Sequence, residues 1–278
     1  WHDGDGIGVL SFKSKMNTVG DGVLAGVQKA IDLAEQQFQG LVVWQTKEPF
    51  SAGADLSGVL ASLQEGRIDD FRAMIAQFQA TSQRIKYAQI PVVAAVRGMA
   101  LGGGCEFQMH AARTVFALES YIGLVEAGVG LLPAGGGLKE IAVRAGLNPP
   151  NGDVFAGLKP YFEAVAMAKV SGSALEAKEL KLARDSDLVV FNAYELLHVA
   201  KAQARAMAES SYRAPVAPKS GPVAGSIGIA TFKMMLVNMQ AGGFISDHDM
   251  EIARRPAAAL RGGDIDRGSL GARNRRLQ

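Results

Sequence analysis

The chain has 278 residues, of which 48% are hydrophobic and 20% charged, which is enough to bury a large core. Its net charge is +2 and no long basic block alternates with aromatic residues, which argues against a nucleic-acid-binding protein. No apolar run reaches the roughly 18 residues of a membrane span, and Cys105 is the only cysteine, so we expect a cytoplasmic protein that does not enter a membrane.

Short apolar runs alternate with longer amphipathic segments in the first half of the chain. The apolar runs predict strands at 7–12, 41–44, 92–96 and 114–117, and a 3.6-residue period predicts helices at 21–37 and 71–87. The run 41–44 is apolar on both faces, as in a buried parallel strand. The order of strand, helix and strand predicts an α/β fold with right-handed crossovers.

The second half is mostly helical in pattern. Helices are predicted at 137–144, 161–169, 174–182, 195–210, 224–240 and 246–255, with a short strand at 187–191. We predict an α/β core over residues 1–150, a mainly helical region over 151–255, and a basic, flexible tail over 256–278. The stretch 215–222, with three prolines, looks most like a linker.

Small residues follow the second strand, in Ser51-Ala52-Gly53-Ala54-Asp55-Leu56. They allow the backbone to approach a ligand closely and leave N–H groups pointing outward. The alternative is an ordinary turn between a strand and a helix.

Three glycines, Gly102-Gly103-Gly104, follow the third strand and open a short helix that contains Glu106. The free N–H groups at the positive end of a helix suit an anion or a developing oxyanion. A carboxylate one turn in, beside apolar Phe107 and Met109, is unusual for a structural turn. The alternative is a helix start with a glutamate that complements the dipole.

Glu126 is a single carboxylate in a largely apolar, glycine-rich run over residues 121–137. A buried carboxylate is costly unless it is paired, hydrogen-bonded or protonated. Its presence favours a functional acid over a surface residue.

The ordered set of these segments resembles the signatures of the crotonase (enoyl-CoA hydratase/isomerase) superfamily, continuously from about residue 6 to 144. The resemblance implies a crotonase-like ββα spiral core with a helical C-terminal region. The sequences of residues 121–126 and 132–137 are similar to the hydratase part of multifunctional 3-hydroxyacyl-CoA dehydrogenases of fatty-acid β-oxidation. Because the chain begins Trp1-His2-Asp3 without methionine, we expect a segment of such a longer chain.

The resemblance also implies roles for individual residues. The N–H groups of Ala54 and Gly103 would form an oxyanion hole for the thioester, and Glu106 and Glu126 would be the catalytic acid and base of a hydratase. Acyl-CoA would contact Ala52, Gly53, Asp55 and Gly102, and Lys13 or Lys15 would reach a phosphate. The resemblance implies no metal and no cofactor besides the coenzyme A thioester. It implies a homotrimer or hexamer, or association with other segments of a multifunctional chain.

Two alternatives to the hydratase stay open. The first is double-bond isomerisation or another crotonase chemistry, such as thioester hydrolysis, although members that only isomerise generally use one glutamate. The second is a non-catalytic module that binds acyl-CoA. A Rossmann site is disfavoured because the glycines at 4–8 precede the first strand. The four histidines have no metal-ligand spacing, and His110 is either a structural histidine or a neighbour of Glu106.

Overall fold

The computed structural model describes residues 1–57, 64–147, 149–218 and 225–260. These ranges contain a five-stranded sheet, and the strand order follows the chain. All neighbouring strands are parallel, which confirms the predicted α/β class. The strands are β1 (Ile7–Leu10), β2 (Gly40–Trp44), β3 (Val92–Leu101), β4 (Arg113–Gly123) and β5 (Leu188–Val190).

Strands β3 and β4 extend well beyond the apolar runs that predicted them. Their ladder continues after an irregularity between Val96 and Gly98, and it ends where Leu101 lies opposite Gly123. In this second part the exposure alternates, with Met99 and Tyr121 partly exposed. Backbone pairing therefore continues where the apolar run has ended, and period-two alternation is the pattern of a half-buried strand.

Helices cover much of the remaining described chain. Those with described bounds are α1 (Asp21–Gln37), α2 (Ile68–Lys86), α3 (Gly103–His110), α4 (Gly137–Leu147), α5 (Val154–Ala166), α6 (Ala174–Glu179), α7 (Leu196–Glu209), α8 (Gly225–Ala241) and α9 (Asp247–Leu260). Among the described helices none is both long and apolar enough to cross a bilayer.

Helices α5 and α9 differ most from their predicted bounds, because each contains an internal proline. Helix α5 begins at Val154, before the predicted start at 161, and passes through Pro160. Helix α9 passes through Pro256 to Leu260. A proline inside a helix removes one backbone hydrogen bond, but burial of Ala257 and Leu260 favours continuation. Residues 256–260 thus belong to a helix and not to a flexible tail, and 261–278, the rest of the predicted tail, lie outside the described residues.

The described chain divides into two compact units. The first unit comprises Trp1–Gly123 with Val170–Val216, and the second comprises the described parts of Leu124–Lys169 and Ala217–Gln278. These boundaries do not coincide with those at 150 and 255, and the division into domains stays a prediction. Of the linker-like stretch, 215–218 has no regular secondary structure, and 219–222 lies outside the described residues.

The core of the first unit lies between the sheet and α7. Leu196, Ala200 and Ala204 occupy one stripe of α7 and pack on the sheet. The sheet residues that they meet include Ile7, Val42, Val93 and Val115. Because the strands are parallel, the segments that follow β1, β2 and β3 leave from the same edge, where ligands of open α/β sheets commonly bind.

Candidate active site

The segment after β2 adds a short piece of extended chain to the end of β3. The N–H of Ser51 donates to the carbonyl of Met99 at 3.1 Å, and the N–H of Leu101 donates to the carbonyl of Ser51 at 3.0 Å. Ser51 is fully buried. These bonds fix the beginning of the Ala52–Ala54 turn against the strand that leads into α3.

The other side of this turn is bound to the segment before α1. The N–H of Val19 donates to the carbonyl of Gly53 at 2.8 Å, and the N–H of Asp55 donates to the carbonyl of Val19 at 3.0 Å. Val19 and Ala54 are thus partners in a parallel bridge. In such a bridge the N–H of Ala54 points away from Val19, so it is left for another acceptor.

The turn and the start of α3 come close together at Gly53. The backbone of Gly53 has a φ of +101°, and a Cβ added there would lie 3.0 Å from the carbonyl oxygen of Leu101 and 3.7 Å from the nitrogen of Gly103. Only glycine adopts this conformation without strain. The predicted residues Ala52, Gly53, Ala54, Gly102 and Gly103 therefore belong to one region of the first unit.

The first turn of α3 leaves N–H groups without intrahelical partners, as every helix start does. The N–H of Gly102 donates to the carbonyl of Gly123 at 2.9 Å, and the N–H of Glu106 donates to the carbonyl of Gly102 at 2.9 Å. Within the described ranges no protein acceptor receives the N–H of Ala54 or of Gly103. Both donors that the family resemblance implies for an oxyanion hole are thus available, and that role stays a proposal.

Glu106 lies in α3 with 2% of its surface exposed, between buried Cys105 and Phe107. The ring of Phe107 packs against that of Phe78 from α2, with centroids 5.2 Å apart. An apolar shell therefore covers one side of the helix that carries this carboxylate, as the sequence suggested.

His110 lies one turn after Glu106 and is buried. Its Nδ1 is 2.7 Å from the carbonyl oxygen of Glu106. A carbonyl can only accept, so the Nδ1 atom carries a proton in this contact. The bond ties the ring to the backbone of α3, which favours the structural interpretation of His110.

Glu126 begins the short 3-10 helix Glu126–Val129 of the second unit and is partly buried. Its carbonyl accepts the N–H of Leu131 at 2.9 Å, which closes the turn. Because Glu106 belongs to the first unit and Glu126 to the second, their action as a catalytic pair stays a prediction.

Asp55 is exposed and closes a turn of its own. The hydroxyl of Ser57 donates to its carboxylate at 2.6 Å and the N–H of Ser57 at 3.1 Å. These two bonds lower the pKa of Asp55 below its usual value. Asp55 also borders a groove of about 460 Å³ between the end of β1 and the start of α1, together with Lys13, Ser14 and Thr18. Lys13 lines this groove, and contact of Asp55 with a ligand stays a prediction.

Sequence reasoning missed two residues that hold the turn. The side chain of Asn17 donates to the carbonyls of Lys47 at 3.1 Å and Pro49 at 2.7 Å, joining the segments after β1 and β2. The Oγ of Ser51 accepts the N–H of Gly53 at 3.1 Å. Asparagine is common in turns, so the residue type alone did not indicate that Asn17 joins these two segments. For Ser51 the only signal was its place in the small-residue segment, two residues before Gly53.

A family model described as enoyl-CoA hydratase/isomerase matches residues 3–151. A probable 3-hydroxyacyl-CoA dehydrogenase of Bacillus subtilis (strain 168) is 39% identical over 269 residues, which are 96% of this chain and 33% of that protein. A putative fatty acid oxidation complex trifunctional enzyme of Rickettsia felis is 36% identical over 137 residues, which are 49% of this chain and 19% of that protein. The chain thus spans about a third of the first relative's length and about a fifth of the second's.

Solved structures show the same fold. An enoyl-CoA hydratase from Polaromonas sp. JS666 matches with a TM-score of 0.61 at 20% identity, over 91% of this chain and 86% of that one. An enoyl-CoA hydratase from Bacillus anthracis matches with a TM-score of 0.59 at 20% identity, over 92% of this chain and 86% of that one. The crotonase-like fold expected from the motifs is confirmed, and the chain belongs to the enoyl-CoA hydratase/isomerase family.

Proposed function

We propose that this chain is an enoyl-CoA hydratase that adds water to a trans-2-enoyl-CoA in fatty-acid β-oxidation, as one segment of a multifunctional hydratase and 3-hydroxyacyl-CoA dehydrogenase. Membership of the family supports the class of substrate. The names of the Bacillus subtilis and Rickettsia felis relatives support the pathway and the multifunctional chain. The observation that carries the proposal is the pair of unused N–H donors, on Ala54 and Gly103, beside a helix with a buried glutamate.

The two N–H groups would bind the thioester carbonyl oxygen. Water addition to a conjugated thioester passes through an enolate-like state, in which negative charge builds on that oxygen. Fixed donors that point at this charge stabilise it, and one such donor is typically worth about 100- to 1,000-fold in rate. The positive end of α3 adds a favourable dipole for the same charge.

Glu106 and Glu126 would handle the protons. In the proposed step, one carboxylate removes a proton from a water molecule, whose oxygen bonds to the β-carbon. The other carboxylate, initially protonated, delivers its proton to the α-carbon, so the product is a 3-hydroxyacyl-CoA and no redox partner is consumed. The reaction as proposed needs neither a metal nor a cofactor besides the coenzyme A of the substrate.

The groove beside Asp55 is our candidate for the nucleotide end of coenzyme A. It adjoins the Ala52–Ala54 turn through Asp55, and Lys13 supplies one positive charge in its lining. Its volume of about 460 Å³ falls within the range of small-molecule sites, about 300–1,000 Å³. A homotrimer or hexamer, or contact with other segments of a multifunctional chain, remains part of the proposal.

The test is to incubate the protein with crotonyl-CoA and longer trans-2-enoyl-CoA esters and follow loss of the ultraviolet absorbance of the conjugated thioester. We expect turnover by the wild type and a decrease of about 100-fold or more in Glu106→Gln and in Glu126→Gln, because general acid–base catalysis contributes about 10²- to 10⁴-fold. Glu179→Gln is a matched control, since Glu179 is exposed at the end of α6, and it should retain full activity.

The same assays separate the alternatives. Conversion of a 3-enoyl-CoA to the conjugated ester, without hydration, would indicate an isomerase. The family description includes both activities. Folded protein that binds acyl-CoA but converts none of these esters would contradict the hydratase and favour a binding module.

A further inference from the structure

Ser51, like Gly53, brings the segment of the Ala52–Ala54 turn into contact with the start of α3. Its N–H donates to the carbonyl of Met99 and its carbonyl accepts from the N–H of Leu101, both in β3. Its Oγ accepts the N–H of Gly53 at 3.1 Å inside the buried part of the unit. The side chain therefore closes the turn two residues ahead of itself, as serine does in local turns.

Ser51 also packs against the first turn of α3. A Cβ added to Gly104 would lie 2.6 Å from the Cβ and 3.1 Å from the Oγ of Ser51. Such a separation is shorter than any normal carbon–carbon contact, so the two backbones meet this closely only because position 104 is glycine. One small side chain thus touches both segments that carry the unused N–H groups.

The bond from Gly53 to Ser51 has a direct effect on Ala54. Gly53 uses its N–H on Ser51 and its carbonyl on Val19. The peptide unit that follows Gly53 contains the N–H of Ala54, so fixing the backbone of Gly53 fixes the direction of that N–H. The Gly53 N–H is buried, and losing its acceptor would leave a donor unsatisfied, which drives the turn to rearrange.

We propose that Ser51 is a positioning residue of the acyl-CoA site, which holds the N–H of Ala54 in line with that of Gly103 through its Oγ bond to Gly53 and its contact with Gly104. The inference rests on the proposed function only in assuming that a thioester carbonyl binds to these two donors. It does not require that water is added.

Ser51→Ala removes the Oγ atom and keeps the close approach of its Cβ to Gly104. Displacement of a donor by about 1 Å can lower a rate by about 100-fold, so we expect kcat for hydration to fall about 10- to 100-fold. We expect KM to change less than threefold, because the Oγ of Ser51 is buried and bonded to Gly53, so the rest of coenzyme A would not reach it. Ser51→Cys keeps a weaker acceptor, so its kcat should lie between that of Ser51→Ala and that of the wild type.

A matched control is Ser173→Ala. The Oγ of Ser173 also accepts a backbone N–H at 3.1 Å, from Glu176, at the start of α6. This variant loses the same kind of hydrogen bond without touching the turn. We expect a comparable decrease in thermal stability but an unchanged kcat.

The deciding measurement does not need turnover. Butyryl-CoA labelled with ¹³C at the carbonyl cannot be hydrated, and its stretching frequency in the infrared difference spectrum reports how strongly the two donors polarise the bond. We expect a shift to lower frequency in the wild type and in Ser173→Ala. In Ser51→Ala the shift should be less than half as large, with Ser51→Cys between them.

The outcomes distinguish this inference from the hydratase proposal. A full carbonyl shift and a wild-type kcat in Ser51→Ala, or in Ser51→Cys if the alanine variant does not fold, would overturn the positioning role. Absence of any carbonyl shift in the wild type would overturn it as well. A carbonyl shift in the wild type that is reduced in Ser51→Ala, without turnover of any enoyl-CoA, would support the inference while refuting the hydratase.

Discussion

The backbone of Gly53 uses each of its polar groups in a different contact. Its N–H donates to Ser51, its carbonyl accepts from Val19, and its φ of +101° turns the chain between them. Ala54 follows directly, and its N–H donates to no protein acceptor among the described residues. The conformation of one glycine therefore decides where a candidate catalytic donor points.

Gly53→Ala should damage both the fold and the proposed activity. An added Cβ meets the carbonyl oxygen of Leu101 at 3.0 Å, and an L-residue at positive φ costs about 1–2 kcal/mol. We expect a loss of about 2 kcal/mol in the free energy of unfolding, measured in urea, and a decrease in kcat of more than tenfold.

Gly243→Ala is the control for backbone strain alone. Gly243 has a φ of +72° and no atom within 4 Å of an added Cβ. It should lose about 1 kcal/mol of stability and keep its activity. If Gly53→Ala matches Gly243→Ala in both stability and kcat, the close approach of Gly53 to the carbonyl of Leu101 does not affect activity.

The sequence predicted the glycines and the buried glutamate of α3 but not the contacts that orient them. Gly53 and Glu106 were recognisable because their residue types are unusual for their local segment. Asn17 was not, because its partner Pro49 is 32 residues away and only tertiary folding brings them together. The pairing of Glu106 with Glu126 depends on two separate units, so neither local pattern nor either unit by itself decides it.

Arg84 links helix α2 to helix α1 by ion pairs. Arg84 of α2 lies 2.6 Å from Glu35 and 2.8 Å from Asp32, both on α1. Glu35 also accepts the N–H of Gln89 at 2.8 Å. The hydrogen bond from Arg84 is the largest cause that lowers the pKa of Glu35, and partial burial opposes it.

Arg84→Met should therefore destabilise the protein by about 2 kcal/mol at pH 7, because a charge-assisted hydrogen bond contributes about 1.5–3 kcal/mol. Arg72→Met is a control on the same helix. Arg72 pairs with Asp69 at 2.9 Å, but both side chains are largely exposed, at 75% and 93%, and such pairs contribute about 0–1 kcal/mol. Urea unfolding of the three proteins measures the differences.

The ion pair of Glu35 with Arg84 also predicts how the free energy of unfolding depends on pH. Its pKa in the folded protein lies below the ordinary value of 4.5, so the ion pair stabilises fully above pH 4.5 and is lost as the pH falls through the folded pKa. The stability difference between the wild type and Arg84→Met should therefore shrink as the pH is lowered below 4.5. A difference that stays constant there would mean that Arg84 acts through packing alone.

At the same scale, the positions of the strands were predicted, but not the ends of β3 and β4 or those of α5 and α9. Burial on both faces makes β2 recognisable without its neighbours. The bounds of α5 and α9 depend on tertiary burial that outweighs the local cost of Pro160 and Pro256. The sequence shows where a proline weakens a helix, but it does not show the tertiary burial that offsets this cost.

In the first unit as a whole, the beginning of the chain is tied to α7 by charges. Lys201 is 8% exposed, and its Nζ lies 2.6 Å from Asp3 and 2.8 Å from Asp5. Trp1 pairs with Val9 through two backbone bonds, its amino group donating at 3.0 Å and its carbonyl accepting at 2.8 Å. Burial tends to lower the pKa of Lys201, but the hydrogen bonds to Asp3 and Asp5 outweigh it and raise the pKa. The ammonium is therefore charged at neutral pH and holds the first residues on the sheet.

Lys201→Met tests this attachment while it keeps the apolar stem of the side chain. The variant leaves two acidic side chains without their buried partner, and because both acids are partly exposed we expect a loss of about 1–2 kcal/mol. Lys159→Met is the control, since Lys159 pairs with Glu163 at 3.8 Å and is half exposed, and it should change stability by less than about 0.5 kcal/mol, the value of an exposed helix pair.

Fluorescence then shows whether the first residues detach. The chain has two tryptophans, and Trp1 stacks edge-on against Trp44 with centroids 6.2 Å apart. In a Trp44→Phe background, the tryptophan fluorescence comes from Trp1 alone. Lys201→Met should raise its quenching by acrylamide well before global unfolding, because the segment that carries Trp1 has lost its buried ionic contact with α7 and keeps only the more exposed pair of Arg205 with Asp5. Equal quenching and equal stability in the two lysine variants would mean that the backbone bonds to Val9 and the pair of Arg205 with Asp5 hold the segment without Lys201.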